Sequence, residues 1–206
     1  TVFMLLFGVN FSCYYMLLIR QVKNVLRDEE LRLYLGLVAG SIALIAWNLQ
    51  GTYNTLEETV RHAAFQVSSI ITTTGYATAD FDLWPGLSKA ILLALMIVGA
   101  SAGSTGGGFK CGRVLLVLKS LRRSVQQVVH PRKIQAVRMN GQSVGEKVLQ
   151  NTNAYLAAYA IIIFVSFLLI SVDGFSITTN FSAVLACFNN IGPGFEMVGP
   201  ASNFAA

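Results

Sequence analysis

The sequence predicts an all-α membrane protein made of repeated units. Each unit is a spanning helix, a short helix that does not span, a glycine-bearing loop and a second helix. Three observations carry this expectation. Apolar and aromatic residues form 54% of the 206 residues and charged residues only 12%, at mean hydropathy +0.58, about half the charge of a soluble domain. Polar, glycine-bearing loops follow short apolar runs at 72–76 and again at 189–194. Most of the positive charge gathers in two stretches, which sets an orientation.

Residues 1–19 read as the last part of a spanning helix descending to the first basic stretch, Arg20, Lys23, Arg27 and Arg32. The second stretch, 110–147, holds Lys110, Arg113, Lys119, Arg122, Arg123, Arg132, Lys133, Arg138 and Lys147 against one acid, Glu146. Basic loops stay in the cytoplasm, so both are expected inside, with attraction to anionic lipid as a further use of the charge. Bilayer-length apolar runs beside them exclude a nucleic-acid patch. Cys13, Cys111 and Cys187 are isolated and lack metal-site spacing, which argues against a disulfide framework or zinc.

Leu33 to Gln50 is the next apolar run and is just long enough to span. Thr55-Leu56-Glu57-Glu58 fits a capping box. The helix it opens, through His62 to Ile71, is too short and polar to cross and is expected to be re-entrant. His62 itself reads as a packed residue rather than a ligand. Asp80 and Asp82 follow, either at an outer mouth or, more simply, in a solvated turn, and Trp84 is expected at the membrane interface. A spanning helix from Leu87 to Val98 breaks at Gly99–Lys110 and resumes at Val114–Leu118. Asn151 to Val172 spans again, and Thr178 to Phe188 forms a second short helix leading into Asn189–Gly194. Three segments result: 1–32, the end of a preceding helix plus a basic loop; 33–149, one full repeat; and 150–206, the start of another.

The loops carry the chemistry. A dehydrated K⁺ ion needs oxygens in place of its water, and backbone carbonyls lining a loop supply them. Thr73, Thr74, Gly75 and Tyr76 fit such a filter: glycine reaches positive φ freely, threonines add hydroxyls, and Tyr76 is expected to anchor the loop from behind. Placing Gly75 over Gly192 sets an offset of 117 residues (192 − 75). Asn190, Ile191, Gly192 and Pro193 then form the matching filter. A K⁺-type ring closes with four loops, so a pseudo-fourfold ion pore is expected, with two more loops before Thr1. The chain starts inside an apolar run without a start Met or signal peptide and reads as an internal stretch of a longer polypeptide. Three consecutive glycines in a spanning helix are unfavourable, and broken helices at membrane depth line transport sites. Gly103, Ser104, Thr105, Gly106, Gly107, Gly108, Phe109 and Lys110 are therefore read as a movable gate below the filter, against close helix packing as the plainer alternative.

Thr73-Thr74-Gly75-Tyr76, the 103–110 segment and Asn190-Ile191-Gly192-Pro193-Gly194 together resemble the third and fourth repeats of the Trk/Ktr/HKT potassium transporter superfamily, nearest the bacterial Trk-type membrane subunit. The resemblance covers essentially the whole chain. It implies K⁺ uptake through a four-repeat pore, a homodimer in the lipid bilayer of the cytoplasmic membrane, and a cytosolic ring of nucleotide-binding regulatory subunits. No cofactor is expected on this chain; nucleotide belongs to the partner. The main alternative is a secondary transporter of another cation or solute with discontinuous helices. Gly99-Ala100-Ser101-Ala102-Gly103 matches a nucleophile elbow, but no His follows Asp173 to complete the Ser, acid, His order. Gly103–Lys110 fails as a P-loop, since Phe109 splits Gly from Lys and Cys111 stands where Ser or Thr is needed. An enzyme is not expected.

Overall fold

The computed structural model describes residues 1–130 and 136–202. Its N-terminal stretch departs from the expected single helix. Helices α1 (Val2–Phe7) and α2 (Phe11–Leu18) are separated at Gly8–Asn10, where Asn10 Oδ1 accepts the Ser12 N–H at 2.9 Å and starts the second helix. A side-chain cap of this kind restarts a helix inside an apolar run, which hydropathy cannot register. Helix α3 (Val22–Arg27) carries Lys23 and Arg27 of the first basic stretch.

Helix α4 (Glu29–Asn48) also begins earlier than its apolar run. Asp28 caps it through the Leu31 N–H at 2.8 Å, and Glu29 and Glu30 put negative charge in its first turn. The expected boundary between 32 and 33 thus falls inside a helix. Helix α5 (Leu56–Ile71) starts at Thr55, which accepts the Glu58 N–H at 3.2 Å. Its 16 residues make about 24 Å, short of the roughly 30 Å hydrocarbon core. Residues Gln66 to Ile71 are all buried, so the end of α5 lies in the middle of the protein. Trp84, expected at the membrane interface, is instead 3% exposed, with its Nε1–H donated to the Tyr53 hydroxyl at 3.1 Å. A protein hydroxyl satisfies the indole that water at an interface would otherwise serve.

Helices α6 (Gly86–Val98) and α7 (Cys111–Val129) flank the glycine-rich break. Helix α8 (Glu146–Ile170) starts upstream of Asn151, so the 149/150 boundary is also internal to a helix. Helices α4 and α8 are the two described helices long and apolar enough to cross a membrane. Apolar Ile161, Phe164, Val165, Leu168 and Leu169 of α8 are exposed, as suits a helix facing lipid. Helix α9 (Ile177–Phe188) has 12 residues, capped by Ser176, which accepts the Thr179 N–H.

At one end, strands β1 (Arg138–Met139) and β2 (Gln142–Ser143) pair through a turn in which Asn140 and Gly141 have φ of 51° and 81°, the left-handed pair tight hairpins need. Asn140 Nδ2 donates to Asp28 at 2.7 Å, and Asn140 Oδ1 accepts the Glu29 N–H at 2.9 Å. Lys119 of α7 pairs with Glu29 and donates to the Arg138 carbonyl at 2.7 Å. Arg123 pairs with Glu146. The two basic stretches therefore meet at the same end of the molecule. Arg132 and Lys133 lie outside the described residues.

Candidate functional site

The turns after α5 and α9 repeat each other bond for bond. After α5, the N–H groups of Thr72, Thr73 and Thr74 donate to the carbonyls of Ser68, Ile70 and Ser69 at 3.1, 3.1 and 2.8 Å. After α9, those of Asn189, Asn190 and Ile191 donate to Leu185, Cys187 and Ala186 at 3.0, 3.1 and 2.8 Å. Every partner is displaced by the same 117 positions (189 − 72). The left-handed residues also match: Thr73 and Asn190 at φ 54° and 57°, Gly75 and Gly192 at 80° and 109°. A β-branched residue at positive φ is a genuine outlier, and such strain persists only where the surroundings hold it.

The two loops touch. A Cβ on Gly75 would lie 2.0 Å from the Ile191 carbonyl oxygen and 3.3 Å from Pro193 Cδ, whereas one on Gly192 would meet nothing within 4 Å. Thr72 Oγ1 donates to the Ser68 carbonyl at 2.6 Å and lies 2.8 Å from Thr74 Oγ1. In the second loop, Asn189 Oδ1 accepts from the Tyr159 hydroxyl of α8 at 2.9 Å. The expected anchoring by the Tyr76 ring is not seen. That ring is 73% exposed, and the Tyr76 carbonyl does the anchoring by accepting from Ser69 Oγ at 2.6 Å, because a hydroxyl two turns back in a buried helix already reaches the loop.

The glycine-rich break is a lateral excursion from one helical path. Phe109 and Lys110 donate their N–H groups to the Ile97 and Val98 carbonyls at 3.0 and 2.8 Å, and Cys111 donates to Ala100 at 2.9 Å. The chain leaves α6 after Val98 and returns to its end, so the loop proper is Gly99–Gly108. Phe109 and Lys110, expected within the movable part, belong to its neck. Gly99 and Gly108 close that neck at φ 68° and 80°, and a Cβ on Gly108 would sit 2.8 Å from Gly99 Cα. Phe109 packs against the Tyr155 and Tyr159 rings at 5.8 and 5.6 Å, and Lys110 Nζ donates to the Gly106 carbonyl.

The far side of this excursion lies on both loops. The Gly107 N–H donates to Thr73 Oγ1 at 2.7 Å. A Cβ on Gly107 would be 2.1 Å from the Asn189 carbonyl oxygen, and one on Gly106 3.1 Å from that of Thr72. Ser104 Oγ folds back onto the Ser101 carbonyl at 2.6 Å, and Thr105 Oγ1 donates to Phe7 at 3.4 Å. Thus the candidate residues from three distant stretches converge at one place, at the buried end of α5.

Other candidates have structural partners. Asp80 caps a single 3-10 turn, Phe81–Leu83, and Asp82 pairs with Lys89 at 3.1 Å, the turn reading of these acids. His62 stacks on Tyr53 with centroids 5.0 Å apart. No group of three or more His, Cys, Asp or Glu side chains fit to hold a metal occurs among the described residues. Two side chains at the site escaped the sequence reading. Tyr159 gave no signal beyond an aromatic in an apolar helix, and Glu30 fell in the basic stretch ahead of the apolar run that starts at Leu33.

The chain matches the TrkH family, described as a cation transport protein, over residues 1–204. It belongs to that family. It is 34% identical over 209 aligned residues to the Trk system potassium uptake protein TrkH of Salmonella typhimurium, covering 100% of this chain and 43% of that protein. It is 32% identical to the Trk system potassium uptake protein TrkG of Escherichia coli, covering 94% of this chain and 40% of that one. The crystal structure of the potassium transporter TrkH from Vibrio parahaemolyticus superposes with a TM-score of 0.86 at 28% identity, covering 98% of this chain and 46% of the other. The chain thus spans less than half the length of these relatives. Membership of the TrkH family, described as a cation transport protein, agrees with the mostly helical fold.

Proposed function

We propose that this chain carries two of four filter loops of a K⁺ uptake pore, with the Gly99–Gly108 excursion as its gate. The observation that carries the reading is the doubled turn: one set of hydrogen bonds and left-handed residues recurs at 117 positions' distance, with Gly75 set against the Ile191 carbonyl. Alternating left- and right-handed residues turn successive peptide planes to one side, as a carbonyl-lined ion site requires. Helices α5 and α9 then serve as re-entrant pore helices, whose C-terminal ends direct partial negative charge at the ion. The carbonyls of Thr73, Thr74, Gly75 and Tyr76, and of Asn190, Ile191, Gly192 and Pro193, replace water around K⁺. A pseudo-fourfold ring of this kind needs two further loops from the rest of the polypeptide.

The excursion supports gating because Gly106 and Gly107 lie against both loops at once. An ion leaving the filter toward the basic, cytoplasmic end meets it first. The membrane potential supplies about 2.3 kcal/mol per charge per 100 mV for entry. On this same reading the protein works as a multi-pass homodimer in the cytoplasmic membrane, with a nucleotide-binding regulatory ring docked on the basic 110–147 stretch.

The test is Rb⁺ flux into vesicles holding the full-length parent, with K⁺ or Na⁺ competing, against a Gly75→Ser variant. Block by K⁺ and not Na⁺, relaxed by the substitution, supports the filter. Unchanged selectivity in the variant would place the filter elsewhere, and absence of Rb⁺ flux would favour a transporter of another solute.

A further inference from the structure

The acid next to the gate has a part to play. Glu30 lies in the first turn of α4 and is 4% exposed, yet its carboxylate makes no ion pair with the described residues that reaches 4 Å. Its two oxygens are instead spent on two chain breaks. Oε1 accepts the Ala102 N–H, inside the excursion, at 2.5 Å. Oε2 accepts Asn10 Nδ2, at the break between α1 and α2, at 3.4 Å. The same oxygen Oε1 would lie 2.8 Å from a Cβ on Gly112, so small residues on α7 leave room for the carboxyl. Burying a carboxylate is costly unless it is hydrogen-bonded.

The remaining contacts of the excursion's near side run to the same place. Ser101 N–H donates to the Gly8 carbonyl at 3.0 Å, and the Gly103 carbonyl accepts from the Phe11 N–H at 3.2 Å. Asn10 Oδ1 would be 2.9 Å from a Cβ on Gly103. Glu29, the residue before Glu30, is tied to Lys119 and to the Asn140 hairpin. The first turn of α4 therefore joins the excursion on one side to the cytoplasmic end on the other.

We propose that Glu30 is a positioning residue that latches the glycine excursion in its closed place against the filter loops through the Ala102 N–H. This rests on reading the excursion as the gate. Release of the latch frees the near half of the loop while the filter loops, which Glu30 does not touch, stay intact. Loosening therefore raises flux and leaves selectivity alone.

The experiment uses the full-length parent in vesicles without cytosolic regulator, comparing Glu30, Glu30→Ala and Glu30→Gln for Rb⁺ flux, half-saturation and Na⁺ competition. Glu30→Ala is expected to raise resting flux about tenfold, the scale set by losing a hydrogen bond to a charged buried acceptor. Half-saturation and Na⁺ exclusion remain unchanged. Glu30→Gln keeps the shape and one accepting oxygen, so an intermediate rise is expected; this variant decides the matter if the alanine form does not reach the membrane. Wild-type flux in these variants, or reduced flux with lost Na⁺ exclusion, overturns the latch. Gly107→Ala, whose Cβ must push the loop off the Asn189 carbonyl, separates the two readings. A rise in Gly107→Ala alone removes only Glu30's role, and no rise in any variant removes the gate as well.

Discussion

The two loops share a backbone but not its support. The first is held by its own helix: Thr72 and Ser69 hydroxyls bond within α5 or to the loop it feeds. The second is held from outside, by Tyr159 of α8 on Asn189 and by the packing of Ile191, which is 4% exposed. The first is pressed against its neighbour at Gly75, while Gly192 stands in open space. The first alone gives a side-chain acceptor, Thr73 Oγ1, to the glycine excursion. Loops that repeat in path need not repeat in sequence, because the backbone conformation is what recurs and each copy draws its support from its own surroundings.

The largest predicted difference between them is at the glycines. Both substitutions to alanine meet left-handed strain of ~1–3 kcal/mol, but only Gly75→Ala also drives a Cβ into a carbonyl oxygen. Gly75→Ala is expected to lower K⁺ preference over Na⁺ on the order of 100-fold and Gly192→Ala about 10-fold, since each 1.4 kcal/mol is a factor of ten. Competition of each ion against Rb⁺ flux measures it, and equal losses would break the contrast.

Next in size is Thr73→Val, which leaves the Gly107 N–H without its acceptor at a cost of ~1–3 kcal/mol. Resting flux without regulator is expected to rise roughly tenfold. A fall in flux would instead mean that the bond holds an open conformation. Tyr159→Phe sharpens the comparison from the other side. It removes the Tyr159–Asn189 bond and should lower stability by ~1–2 kcal/mol, read as a lower melting temperature in detergent.

The smallest effect concerns the far end of α9. Hydrogen bonds from Ser176 and then Thr179 hold the Glu196 carboxyl below its ordinary value, with Asp82 opposing and Lys89 helping. A depressed folded pKa means that this stabilisation is present above the unfolded value, about 4.3 for glutamate, and is lost as pH falls through the lowered folded value. Melting temperature of the parent should therefore fall more steeply below about pH 4 than that of Glu196→Gln. Parallel curves would show the carboxylate to be idle.

Legibility in the sequence followed the range of the interaction. The caps at Thr55 and the short helices α5 and α9 were readable because a side chain and an N–H three residues away decide them. The break in residues 1–19 was missed although Asn10 carries it, since an N-cap inside an apolar run is one residue against a window of hydropathy. Trp84 was misplaced because its partner, Tyr53, lies 31 positions away. The excursion was visible as a run of glycines, but its extent was not. Only the bonds from Phe109 and Lys110 back to α6 put these two in the neck.

By itself the sequence determined the membrane class, the two short helices, the two glycine loops and their 117-residue spacing, because composition, hydrophobic period and backbone freedom are local properties. Tertiary structure alone decided that Gly75 backs onto Ile191, that Gly107 reaches Thr73 and that Glu30 grips Ala102. The last two bonds join residues 34 and 72 positions apart. At such separations chain entropy favours no particular pair, so only the packed helices bring the donor and acceptor together.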